Sequence, residues 1–314
     1  MAGSTFGRHL GSLLGFLIVF LWRPVCANSV ESSSPGPVPR WNTAALQGIR
    51  DAKLGAPVVA HALIQHAGAE VTVVANDPLP LLQAISDLRL EYGWQINWES
   101  APGYSRFDVV DDTDPGWRAS HPGVKGVTRP AGALFRCGFP EPKPSDPAAE
   151  RDILTRLIDQ YNATDNPGKY VLRVDADGQF TVIGTQVRDE TGALQKIQPL
   201  LSTPVTLTQA LRSVEDTVNA IVDLLQSATG KKIIFAVASS SLFINTQVTM
   251  GGNRVPARDL LKQAFASTKR PLQYDLGFDP DVPIYLLGVS LTMREETNGF
   301  GGRKLVPVDR AAKP

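Results

Sequence analysis

The chain has 314 residues, with 31 basic and 31 acidic side chains and a formal net charge of zero at pH 7. That balance excludes the basic footprint through which a protein recognises nucleic acid or an anionic membrane surface. With only Cys26 and Cys137 available, a disulfide framework is also excluded, so stability has to come from packed apolar cores, which a chain of this length can supply.

At the amino terminus Arg8 and His9 precede an apolar run from Leu10 to Trp22. The run has signal-peptide length and is too short to cross a bilayer as a helix. Val25 and Ala27 are small residues at the positions a signal peptidase reads. Residues 1–27 are therefore expected to be a signal peptide cleaved after Ala27, giving a periplasmic or secreted protein with no transmembrane segment. Arg23-Pro24-Val25 before Cys26 is a poor lipobox, so lipid attachment is not expected. Cleavage removes Arg8 and Arg23 and no acid, taking the basic count from 31 to 29, and leaves Cys137 as the lone thiol. Burial is the usual fate of such a cysteine. Residues 28–40, rich in Ser and Pro, read as a disordered leader.

The spacing of Ala44, Leu46, Ile49 and Leu54, then Val58, Val59, Ala62, Leu63 and His66, predicts a helical segment over 41–67, broken near Gly55-Ala56-Pro57. The stretch from Trp41 to Ala60 resembles the opening helices of bacterial vanadium-dependent haloperoxidases. That resemblance stops short of the family's chemistry: Lys125 lies too close to Arg129-Pro130, and no Pro-Ser-Gly-His occurs in the chain.

From Val71 a β-strand, a helix and further strands are expected. Val71 to Val74 is a strand, Asp77 a helix cap and Pro78 a suitable first helical residue. Leu81, Leu82, Ile85, Leu88 and Tyr92 form one apolar face that ends at Gly93. Trp94 to Trp98 alternates as a strand, and Phe107 to Val110 is a further candidate. Between Pro115 and Pro147 there are seven prolines and five glycines, which predicts an insertion over 115–147 running as a surface loop with one short strand at Gly132 to Arg136. A second helix follows through Ile153, Leu154, Leu157, Ile158 and Tyr161. Tyr170, Leu172 and Val174 then alternate, a turn falls at Asp175-Ala176-Asp177-Gly178, and Phe180 to Val187 returns.

The same plan recurs from Pro204 to Thr292, more cleanly. Val205 to Thr208 leads into a cap at Ser213 with Asp216 three residues on. Val214, Val218, Ile221, Val222 and Leu225 share a face, and Gly230 ends the helix. Lys232 to Val237 and Thr246 to Met250 read as strands, with a turn at Gly251-Gly252-Asn253. Leu260, Leu261, Ala264 and Phe265 line a second helix, and Leu272 to Leu276 and Ile284 to Leu291 close the unit as a hairpin. The order is βαββαββ in both copies. The expected fold class is α+β: a first unit over 68–200 and a second over 201–293, each a small sheet carrying two helices, then a disordered tail over 294–314.

The Pro204 to Thr292 unit resembles the short N-terminal domain shared by secretins and TonB-dependent receptors. The features that carry the resemblance are Gly230 at the helix end, the Lys231 to Ala236 strand, Gln247-Val248-Thr249-Met250, Leu260-Leu261 and the closing hairpin. Residues 71–187 resemble it more loosely. The resemblance implies a periplasmic interaction and assembly module in a bacterial protein, with a cell-envelope protein as partner.

Side chains with chemical potential do not form a catalytic constellation. Asp108, Asp111, Asp112 and Asp114 lack the glycine and closing glutamate of a calcium loop, and read as a solvated turn. His61 and His66 are not spaced as metal ligands on a helix. Cys137 has no histidine in a pairing motif, and Ser239-Ser240-Ser241 lies in no nucleophile elbow. Asn162-Ala163-Thr164 fits a glycosylation acceptor, which matters only in a eukaryotic secretory setting. Catalytic, cofactor-binding and metal sites are therefore all expected to be none. The expected function is non-catalytic protein binding through a sheet edge or an inter-unit groove; the alternative is an enzyme or small-ligand binder with its site beneath 115–147. Neither the partner nor the oligomeric state follows from the sequence.

Overall fold

The computed structural model describes residues 63–308, apart from residue 77 and the segments 102–104, 144–145, 176–177, 238–239, 281–282 and 298–302. The expected signal peptide, leader and most of the 41–67 segment lie outside the described residues, as do Asp77 and His61. Where 41–67 is described, the helical expectation is corrected: Leu63–Ala67 (β1) is a strand, antiparallel to Glu70–Ala75 (β2). The two meet at Gly68, whose φ of 66° makes a tight reversal, and strand pairing outweighs the weak helical spacing of Leu63 and His66.

The first unit continues with a helix at Pro80–Tyr92 (α1), closed by Gly93 in the left-handed region, then a short strand at Ile96–Glu99 (β3). Pro80 rather than Pro78 sits in the first turn of α1, because the helix starts two residues later than the capping pattern indicated. Val109–Asp111 (β4) and Thr128–Pro130 (β5) pair with each other and flank a short helix, Pro115–Ser120 (α2). Phe135–Pro140 (β6) then pairs antiparallel with β2 and turns Phe135, Cys137 and Phe139 inward. The expected loop over 115–147 is thus corrected. The Pro/Gly-rich run carries α2 and β5, and it ends in a core strand whose alternating apolar residues outweigh the prolines on either side. The unit closes with Pro147–Asn162 (α3), capped by Asp146, then Lys169–Val174 (β7) and Phe180–Arg188 (β8); Leu194–Lys196 (β9) adds to the end of β8.

A 3₁₀ turn at Leu200–Ser202 leads into the second unit: Pro204–Ser213 (β10), Val214–Thr229 (α4), Lys232–Val237 (β11), Ser240–Asn245 (α5), Gln247–Pro256 (β12), Ala257–Ala266 (α6), Leu272–Asp279 (β13) and Ile284–Leu291 (β14). Ser213 caps α4 by accepting from the Asp216 N–H, and Gly230 ends it, as the sequence indicates. The expected turn at Gly251-Gly252-Asn253 is instead the middle of β12, which bulges against β10. The expected disordered tail is also corrected: Met293–Thr297 (β15) and Arg303–Pro307 (β16) form an antiparallel hairpin, with Val308 meeting Gly93 at the end of α1.

The fold is α+β, and the two units repeat one pairing scheme. In the first, β2 pairs antiparallel with β6, β3 parallel with β8, and β7 antiparallel with β8. In the second, β10 pairs antiparallel with β12, β11 parallel with β14, and β13 antiparallel with β14. Each unit therefore has two helices with a small sheet on one side and three strands of a larger sheet on the other, and each has its own apolar core. The larger sheet is continuous through both units, in the order β11-β14-β13-β3-β8-β7. Each unit has the small sheet and two helices expected of it, and the larger sheet joins the two.

Register fixes how the units sit on this sheet. Asp275 lies beside Trp98, and Leu276 beside Glu99. In-register neighbours on adjacent strands share a face. Trp98 belongs to the first core and Leu276 to the second, so the two helix pairs lie on opposite faces of the shared sheet.

Candidate functional site

Two features of the shared sheet bear on function: the seam where the units join, and the edges where the sheet ends. At the seam the face alternation of β3 and β13 sends polar side chains across the boundary. Glu99 and Asn97 face the second unit's helices, and Asp275 faces α1 of the first. Arg89 of α1 donates to both oxygens of Asp275, at 2.7 and 3.1 Å, and to the Ile96 carbonyl at 2.6 Å. Arg258 of α6 donates to both oxygens of Glu99, and the Tyr274 hydroxyl donates to Glu99 Oε1 at 2.7 Å. Asn97 Oδ1 accepts from the Tyr274 N–H, and the Ser100 N–H donates to the Leu276 carbonyl. Nearer the surface Lys262 and Arg173 bridge to Asp175, and Arg173 also reaches Asp259.

The groups at the seam's centre are almost wholly buried, with Glu99 1% and Arg258 3% exposed. Burial pulls the Arg258 pKa down, but the hydrogen bond and charge of Glu99 raise it above the ordinary arginine value, so the cation persists. Burial, then the Glu99 charge, hold Tyr274 neutral well past its usual range. An ion pair held this firmly, with its hydrogen bonds filled, orients the units rather than doing chemistry. This network fills the boundary between the units, and a shallow cleft open to solvent lies beside Gln95, Lys262 and Arg270.

The edges are different. No strand lies beyond β7 or β11 among the described residues. The Tyr170 N–H and carbonyl both bond the Asn162 side chain, at 2.9 and 2.7 Å, so Tyr170 turns its backbone away from β8. Backbone direction alternates along a strand, which turns the Leu172 N–H and carbonyl outward as well. On β11 the Ile233 N–H bonds Gln226 Oε1 at 3.0 Å, which places the outward groups at Phe235 and Val237. Val171 and Val174 on β7 stand 46% exposed. These edges offer unpaired donors and acceptors beside apolar side chains, the combination to which an added strand binds.

The other residues singled out from the sequence scatter. Asp108 is buried against Arg188 Nη1 at 2.5 Å, Asp112 pairs with Arg129 at 3.0 Å, and Asp114 caps α2. Asp111 binds Thr113 and Arg118, and the Thr113 hydrogen bond leads in lowering its pKa to about 2. These four carboxylates do not converge. His66 sits on β1 with Nδ1 2.7 Å from Glu141. Cys137 is buried, and desolvation raises its thiol to about 11. Asn162 spends its amide on the Tyr170 backbone, and Ser240 and Ser241 open α5. Beneath 115–147 Phe135, Cys137 and Phe139 turn into the first core, while near its 130–133 end the Ala133 N–H donates to buried Asn166 at 2.7 Å and buried Asp108, whose carbonyl accepts from the Ala131 N–H, pairs with Arg188.

The seam residues Arg89, Asn97, Glu99, Arg258, Tyr274 and Asp275 were not foreseen. For Asn97, Glu99 and Asp275 the sequence signal is a polar residue on a strand whose other face is core. Among the described residues no helix is long and apolar enough to cross a membrane. The chain matches no protein-family profile, no curated protein and no solved structure.

Proposed function

We propose that this is an exported, non-catalytic interaction or scaffold protein of the bacterial cell envelope. Its two units are of the short secretin/TonB-receptor N-terminal type, and it binds a protein partner by strand addition at an edge of the shared sheet. The observation that carries the reading is the state of β7. Leu172 turns its backbone donor and acceptor outward, Val171 and Val174 are exposed beside it, and both cations of the strand are engaged, Arg173 by Asp175 and Asp259 and Lys169 by the Thr164 carbonyl. An edge that had to repel other strands would keep a free charge there. Export rests on the apolar run before Ala27, and the envelope assignment on the resemblance and the repeated pairing scheme.

The test is retention of an envelope protein on the immobilised full chain and on a Val171→Lys/Val174→Lys variant. A partner held by the parent and released by the variant is expected. Equal retention by both, or none by either when the chain also fails to associate with itself, overturns edge binding.

A further inference from the structure

We propose that the partner taken at these edges is a second copy of this chain, joined head to tail with β7 of one copy parallel to β11 of the next. The proposal rests on the edge-binding reading and names its occupant.

The argument is the internal seam itself. Phe180 pairs with Ile96 in the first unit as Tyr285 pairs with Ile233 in the second, which makes β3 and β11 equivalent, with Trp98 matching Phe235. Val182 faces Leu172 as Leu287 faces Leu276, which makes β7 and β13 equivalent, with Tyr170 matching Tyr274. The chain already joins one β13-type edge to one β3-type edge, in parallel, at its centre. Among the described residues, what is left open at the two ends of the sheet are β7, a β13-type edge, and β11, a β3-type edge. The open edges are therefore the two halves of a contact that the chain makes once within itself.

The details agree. At the seam Leu276 lies between the outward groups of Trp98 and Ser100, and the Ser100 N–H donates to its carbonyl at 2.8 Å. Leu172 and the pair Phe235 and Val237 present the equivalent outward groups at the open edges. The side chains that cap those edges, Asn162 on Tyr170 and Gln226 on Ile233, engage only their beginnings. Gln226 stands where the seam has Arg89, one turn before the helix-ending glycine in each unit.

Side-chain chemistry is the one difference. Val171 occupies the place of Asp275, and Ala236 the place of Glu99, so a copy of the seam between chains needs neither buried ion pair. It is an apolar version of the internal contact, without the desolvation cost of two charged pairs. Because the two edges differ, the contact is heterologous, and successive copies close a ring or extend a filament.

Sedimentation of the purified full chain over a concentration series tests this. The expected result is a mass that rises with concentration above the 33.9 kDa of one chain. Val171→Lys/Val174→Lys blocks the β7 end, and Val237→Pro removes only an outward N–H at the β11 end. Each is expected to weaken self-association by at least about tenfold. A mixture of the two variants retains one good edge of each kind and forms a one-to-one dimer that does not grow. A parent that stays at single-chain mass at its highest soluble concentration overturns the proposal without use of any variant. So does growth of the mixture beyond a dimer, or a mixture that stays monomeric while both variants keep the parent's circular dichroism. If the parent is monomeric but its β7 edge still retains a different envelope protein, self-assembly fails and edge binding stands. If β7 retains nothing, both fail.

Discussion

Arg258, in the first turn of α6, donates from Nε and Nη2 to the two carboxylate oxygens of Glu99 in β3, at 2.5 and 2.6 Å, across 159 positions of sequence. The pair ties the second unit's helix to the first unit's strand, and Tyr274 completes the carboxylate's shell. Both ions have left water, so removing one strands the other. Arg258→Leu is expected to cost about 3–5 kcal/mol in denaturant unfolding, because the Glu99 carboxylate is left buried without its cation. Adding Glu99→Leu to that variant is expected to recover most of the loss, since the charge that was stranded is gone. A cost of under about 1 kcal/mol for Arg258→Leu would show that the pair is solvated.

What the sequence discloses and what it hides divide along physical lines. Ser213 with Asp216, and Gly230 after an apolar face, specify α4 through contacts within a few residues, and the structure has that helix as read. Strand β6 was legible only at its start, as the expected short strand at Gly132 to Arg136, because Pro140 and Pro142 mask the alternation of Phe135, Cys137 and Phe139; pairing with β2 shows that the strand runs on to Pro140. The hairpin of β15 and β16 was read as tail because its stability comes from packing near α1, which local composition does not encode. The seam was the least legible feature. Glu99 beside Trp98 reads locally as the polar side of an alternating strand, and nothing near it announces that Arg258 completes the pair. The duplication was legible because both units repeat the same short-range signals in the same order. That they share one sheet was not, because the joining register of Trp98 with Asp275 is a long-range fact.

Cys137 gives a prediction with a pH sign. Desolvation raises its thiol from 9.0 to about 11 in the folded chain. A group whose pKa rises on folding stabilises the fold fully below its unfolded pKa and loses that contribution as pH climbs through the folded one. The stability gap between the parent and Cys137→Ala is therefore expected to be constant up to about pH 9 and to shrink between about pH 9 and 11. Equilibrium unfolding at a series of pH values measures it. A gap that does not change over that window would mean the thiol ionises as readily in the fold as in the unfolded chain. Thiol-specific labelling of the native protein at neutral pH is expected to leave Cys137 unmodified until denaturant is added.

Two strand glycines, Gly251 in β12 and Gly138 in β6, differ in the space around them, and that difference decides the sign of an alanine substitution. A Cβ at Gly251 would lie 2.5 Å from the Gln209 backbone nitrogen and 2.6 Å from its Cα. Both are main-chain atoms of the paired strand β10, at a point where the register already shifts. They cannot rotate away as a flexible side chain would, so the strands have to separate. Gly251→Ala is expected to cost about 1–3 kcal/mol, the usual range for overpacking. A Cβ at Gly138 would meet its nearest atoms, Thr72 Oγ1 and the Val71 carbonyl oxygen, at 3.9 Å, an ordinary contact. There the substitution mainly restricts the unfolded chain, and Gly138→Ala is expected to be neutral or stabilising by up to about 1 kcal/mol. Paired thermal unfolding of the two variants checks both signs. Equal shifts would mean that β10 and β12 do not approach at Gly251 as closely as the fold requires, and the small sheet that covers α4 and α6 would have to be drawn in a different register.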